Sequence, residues 1–156
     1  MKYDLIGLLN KNVTPFICDH QPVMLNDRQK SDLLEQFYPI LLLMFHKFPE
    51  RLETSANLSH GLFYLFQDES VLLTNMLKHF AIEYHQSENK VIALLNQAIP
   101  LSLFILIYAL GKENIAQQLQ KQVIVLSKQW PIWLIETWGD PQTLPINIQR
   151  RCNTSV

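Results

Sequence analysis

Between Lys90 and Lys112 the chain carries no charged side chain. As a helix, this run of roughly 20 residues is about as long as the hydrocarbon core of a bilayer is thick. It therefore restricts the chain to two architectures: one that spans a membrane at 91–111, and one that wraps an apolar interior around this segment. Asn96, Gln97, Pro100 and Ser102 interrupt the stretch, and its strongest run, Leu101 to Leu110, covers only about half the thickness a span needs. The buried core helix of a soluble domain is the favoured expectation. A small membrane protein spanning at 91–111 is the alternative.

The rest of the chain supplies the partners such a helix needs. Glycine is scarce, at 4 residues, and no Asn-Gly or Asp-Gly pair separates alternating apolar and polar runs, so the usual hairpin signals are missing. Leu5 to Asn10 predicts a short first helix, and Thr14-Pro15 to Gln21-Pro22 reads as a connector, since each proline disfavours helix in the residue before it. Asn26 or Asp27 caps a helix whose apolar positions, Leu33, Leu34, Phe37, Ile40, Leu41, Met44, Phe45 and Phe48, recur three and four apart up to Pro49. Thr54 to Ser59 offers caps for a helix through Leu62, Phe63, Leu65 and Phe66. Asp68-Glu69-Ser70 begins another with Val71, Leu72, Leu73, Met76, Leu77, Phe80 and Ala81 on its apolar side. Ser87 is the expected N-cap of the uncharged helix, with Glu88 complementing the dipole in its first turn and Lys90 where a capping box would place Glu. Pro100 is expected to kink or restart that helix, and Gly111 to stop it. Ile115, Leu119, Val123, Leu126 and Trp130 mark the stripe of a last helix. The expectation is an all-α protein, a single compact bundle of about five to seven helices with proline-kinked core helices. A helical domain over 1–140 is followed by a loosely ordered tail over 141–156 that carries Pro145, two arginines and no apolar period.

Two segments share a layout that points to an internal duplication. Arg28 to Phe48 contains Leu33-Leu34 and then Tyr38-Pro39-Ile40-Leu41-Leu42, and Asn89 to Leu110 contains Leu94-Leu95 and then Ile99-Pro100-Leu101-Ser102-Leu103. The run His85-Gln86-Ser87-Glu88-Asn89-Lys90-Val91, with Leu94-Leu95 and Ile99-Pro100, resembles the YidB-like bacterial helical domain of unknown function, whose members show a Ser-Glu start, a Val, a Leu pair and a Pro within an apolar helix. The resemblance covers Met1 to Gly111; here Phe, Tyr and Leu stand where the family has Gly and small residues, and Trp130 to Val156 has no counterpart in it. Related domains are fused to outer-membrane-protein-A-like peptidoglycan-binding modules, which implies a cell-envelope or secretion-machinery context. The family implies no catalytic residues.

Chemistry-bearing patterns are sparse. A formal charge of −1 gives no global field for nucleic acid or anionic lipid, and 48% hydrophobic against 17% charged residues leaves little strongly solvated surface. Cys18 and Cys152 fit neither a disulfide framework nor paired metal ligands and read as free thiols, or at most one bridge tying the termini. Cys18, Asp19 and His20 put three potential ligands in one loop, short of the four donors a structural zinc takes. His79 and His85 do not stack on one helix face, and Glu83 reads as a solvated helix charge. No nucleophile elbow and no glycine-rich phosphate loop occurs, so the chain is expected to be non-enzymatic, without metal or cofactor. The charged N-terminus lacks a signal-peptide apolar region, which implies a cytoplasmic protein.

Every tryptophan lies in one short stretch, Trp130-Pro131-Ile132-Trp133-Leu134-Ile135-Glu136-Thr137-Trp138. Tryptophan brings large rigid area and one hydrogen-bond donor to interfaces, although indoles closing the end of a bundle read the same way. The candidate interface residues are Trp130, Trp133, Leu134 and Trp138 with Val123 and Leu126 of the last helix. The expected role is an interaction module or adaptor of a bacterial envelope or secretion assembly, with a homodimer through the same residues. An immunity or antitoxin-like protein that neutralises a toxic enzyme is the second expectation.

Overall fold

The computed structural model describes residues 4–20, 26–48 and 61–128, without the side chains of residue 20 and of 123–128. Within them the chain is all-α: α1 Leu5–Asn12, α2 Thr14–His20, α3 Asp27–Lys47, α4 Gly61–Leu65, α5 Ser70–Tyr84, α6 Glu88–Leu110 and α7 Ile115–Lys128. The tail over 141–156 lies outside the described residues.

The organising element is α3. Its first turns are amphipathic, but every residue from Phe37 to Phe45 is buried, Pro39 included. A helix that is apolar all round has to be covered all round, and α1, α2, α6 and α7 surround it. The N-terminus of α3 closes as a reciprocal capping box. Asn26 Oδ1 accepts from the Gln29 amide at 2.8 Å, and Gln29 Oε1 accepts from the Asn26 amide at 3.3 Å.

The sequence predicted a connector where α2 stands. Pro15 occupies the first turn of α2, where the amide that proline lacks has no intrahelical acceptor in any case. Val13, Thr14 and Ile17 then face the core, and the Thr14 hydroxyl shares a 2.8 Å hydrogen bond with Tyr38 Oη of α3. Burial and that bond hold α2 as a helix. The first helix likewise runs two residues beyond the predicted Asn10.

Ser87 caps α6, its hydroxyl accepting from the Lys90 amide at 3.3 Å, and Gly111 closes the helix at φ 82°. Pro100 does not restart it: α6 is one helix of 23 residues. The N-caps, leucine pairs and internal prolines of α3 and α6 fall at the same sequence steps, so the layout shared by the two segments is also a shared helical register.

A short α4 precedes α5 and packs on α6. Its cap is supplied from a distance: Asn96 Oδ1 in α6 accepts from the Leu62 amide at 2.8 Å. Gly61 stands beside it at φ 53°, a left-handed conformation that glycine adopts at no steric cost. At the start of α5, Glu69 makes no side-chain cap bond, because its carboxylate pairs with Lys47 at the end of α3. Both side chains are only 5% exposed, and the Lys47 ammonium also lies 5.1 Å from the Phe48 ring centroid. Such a pair joins two helix ends and strongly penalises removal of either partner.

Candidate interaction surface

One side of α6 closes the core. Val91, Leu94, Leu95, Ala98, Ile99, Ser102, Leu103, Leu106 and Leu110 are buried against the surrounding helices. At 100° per residue the opposite side carries Ala93, Gln97, Phe104 and Tyr108, all exposed, flanked by the half-buried Pro100, Leu101 and Ile107. The expectation of a core helix thus holds for one face only.

This outward face is apolar and uncharged. Phe104 is 62% and Tyr108 84% exposed, and their rings stack along the helix with centroids 6.4 Å apart and planes at 18°. The other large exposed apolar residues among the described ones, Phe16, Phe63, Val71 and Ile82, are spread over α2, α4 and the two ends of α5. Isolated apolar residues are ordinary surface. A row of them on one uncharged helix face is a contiguous patch, and contiguous patches mark contacts with other molecules.

The polar clusters give no comparable case for catalysis. Gln36 Nε2 donates to Glu83 Oε2 at 3.1 Å and to Tyr84 Oη at 3.0 Å, while His79 Nε2 lies 3.4 Å from Glu83 Oε2. Glu83 is exposed, as expected of a solvated helix charge, and it also takes part in a polar seam between α3 and α5. Burial, with the Glu83 and Asp32 charges adding, pushes the Tyr84 hydroxyl well above the usual tyrosine range, so it serves as a hydrogen-bonding group and not as a base. His85 stands apart at the end of α5 in the left-handed region.

Near the start of α3, Cys18 Sγ donates weakly to the Asp27 carbonyl at 3.7 Å and Lys30 Nζ donates to the Cys18 carbonyl at 3.5 Å. Burial, reinforced by Asp27, pushes the Cys18 thiol up, which keeps it protonated and a poor nucleophile. Asp19 is exposed, and the side chain of His20 is outside the described residues. Among the described residues, no group of three or more His, Cys, Asp and Glu is placed to hold a metal ion.

Of the interface residues expected from sequence, Trp130, Trp133, Leu134 and Trp138 lie outside the described residues, as do the side chains of Val123 and Leu126 on α7 and the whole of Cys152. Phe104 and Tyr108 were not singled out by the sequence reading, because both sides of α6 are apolar and a helical period cannot say which side faces inward. No family model matches the chain, and neither the curated proteins nor the solved structures contain a match to it.

Proposed function

We propose that this chain is a non-enzymatic protein–protein interaction module that works through the outward face of α6, as an adaptor in a bacterial cell-envelope or secretion assembly. The observation that carries the interaction reading is that face itself: two stacked aromatic rings on a helix with no charge from Val91 to Gly111. The envelope context rests on the resemblance of the His85 to Pro100 segment to the YidB-like domain. The test is affinity capture of the tagged full chain from its native cells, with captured proteins identified by mass spectrometry, beside a Phe104→Glu, Tyr108→Glu variant of unchanged helical circular dichroism. An identified envelope or secretion protein held by the wild type and lost by the variant supports the reading. Identical capture by both overturns it.

A second reading has its own observation. The 23-residue α6 is long and apolar enough to cross a bilayer, and less than half of that stretch is buried. Crossing would require α6 to leave the six helices it packs against and take Asn96 away from the Leu62 amide. Extraction at alkaline pH separates the two readings, since a spanning protein stays with the membrane pellet.

A further inference from the structure

We propose that the outward face of α6 is the contact between two copies of this chain, packed antiparallel about a twofold axis beside Pro100 and Leu101. The inference rests on the interaction reading above and names the occupant of the same face.

The sequence of the face is self-complementary about its own midpoint. Ala93 and Tyr108 lie at equal distances on either side of the midpoint between Pro100 and Leu101, and so do Gln97 and Phe104. A twofold axis through that midpoint, perpendicular to the helix, brings each residue level with its counterpart on the other copy. The large rings at one end of the face then meet the small and slender side chains at the other: Phe104 on Gln97, Tyr108 beside Ala93. Two knobs fill two depressions, twice over.

The parallel arrangement does not fit. It would set Phe104 on Phe104 and Tyr108 on Tyr108, holding the helices apart, and leave a gap between facing Ala93 residues. It would also oppose Lys90 to Lys90, whereas the antiparallel register sets Lys90 against Gly111. Antiparallel packing aligns the helix dipoles favourably as well. No charge has to be desolvated along the face, and the Gln97 amide is its one strongly polar group.

Size sets the strength. From Ala93 to Tyr108 the face rises about 22 Å, one helix-pair contact. That is at the small end of specific interfaces, where transient contacts sit, so the pair is a reversible dimer and not an obligate one.

The test is sedimentation velocity of the full chain from low micromolar to near-millimolar concentration. The wild type is expected to pass from monomer to dimer. Phe104→Glu is expected to raise the dissociation constant by about 30-fold or more, as loss of a central aromatic anchor does, with circular dichroism and thermal unfolding unchanged because the residue is exposed. Tyr108→Glu gives the same readout if Phe104→Glu perturbs the fold. Adding Gln97→Lys to Phe104→Glu sets an amine against a carboxylate across the proposed register and is expected to restore the dimer.

A wild type that stays monomeric overturns the proposal, whether the face is then covered by residues 129–156 or by added phosphatidylglycerol vesicles. So does a dimer indifferent to Phe104→Glu, or one that Gln97→Lys fails to restore. If the chain is monomeric and yet Phe104→Glu abolishes capture of an identified partner, the self-pairing is wrong and the interaction reading stands.

Discussion

Replacing Gly61 with alanine tests the joint between α4 and α6 most directly. Gly61 sits at φ 53°, and a Cβ built there would collide with the Asn96 carboxamide oxygen that caps the Leu62 amide. Two costs follow: holding an L-residue in the left-handed region costs about 1–2 kcal/mol, and displacing Asn96 loses a helix cap worth about 1 kcal/mol. Gly61→Ala is therefore expected to destabilise by about 2–3 kcal/mol, or about 4–12 °C in Tm at about 2–4 °C per kcal/mol for a chain of this size. Asn96→Ala loses the cap alone, about 1 kcal/mol. The double variant has already lost the cap, so it should be no less stable than Gly61→Ala, which makes the two changes non-additive by about 1 kcal/mol. Urea unfolding followed by circular dichroism at 222 nm measures all four proteins at about equal slope. Additivity to within about 0.3 kcal/mol would refute the shared origin of the two costs, and a neutral Gly61→Ala would refute the positive-φ argument.

Three further outcomes follow from buried polar groups. Ser102 is fully buried and its hydroxyl has no hydrogen-bond partner among the described residues, so Ser102→Ala should raise stability by about 1 kcal/mol in the same urea assay. Glu69→Ala leaves the Lys47 ammonium in a dry site without that carboxylate and should cost about 3–5 kcal/mol; a loss below about 1 kcal/mol would mean the pair is solvated in solution. Burial raises the Tyr38 hydroxyl above its unfolded value, as burial also does for Tyr84, so both contribute stability that is complete below about pH 10 and is lost as pH rises above it. Equilibrium unfolding between pH 8 and pH 12 should show that loss, and Tyr38→Phe should flatten it.

Much of the helical frame is legible along the chain because its signals are local. The Asn26 and Ser87 caps, the Gly111 stop and the three-and-four spacing of α3 act within a turn or two of where they stand. What escaped sequence reading depends on distant partners. Thr54 to Ser59 offered plausible caps for α4, but those residues lie outside the described ones, and the cap the structure gives is Asn96, which reads along the chain only as a polar interruption in an apolar helix. Pro15 argued for a connector until Val13 and Ile17 were seen to be buried. The candidate surface failed to show for a related reason. Phe104 and Tyr108 carry large apolar rings in the same uncharged run as Leu103 and Leu106, and only the packing of the other helices decides which pair meets solvent. The tryptophan segment, the one conspicuous cluster in the sequence, falls outside the described residues.

The Lys47–Glu69 pair has a consequence for how the chain can be divided. It ties the end of α3 to the start of α5, while α6 packs on α1, α2 and α3, and α7 packs on α3 across the whole length of sequence between them. Residues 4–48 and 61–128 are thus held together by contacts that do not use the peptide chain joining them. Expressed as two polypeptides divided between residues 49 and 60, the halves should find one another and assemble as a heterodimer, the first supplying the central α3 and the second the helices that cover it. Connectivity here is a convenience of synthesis; the affinity that makes one domain is written in the two halves separately.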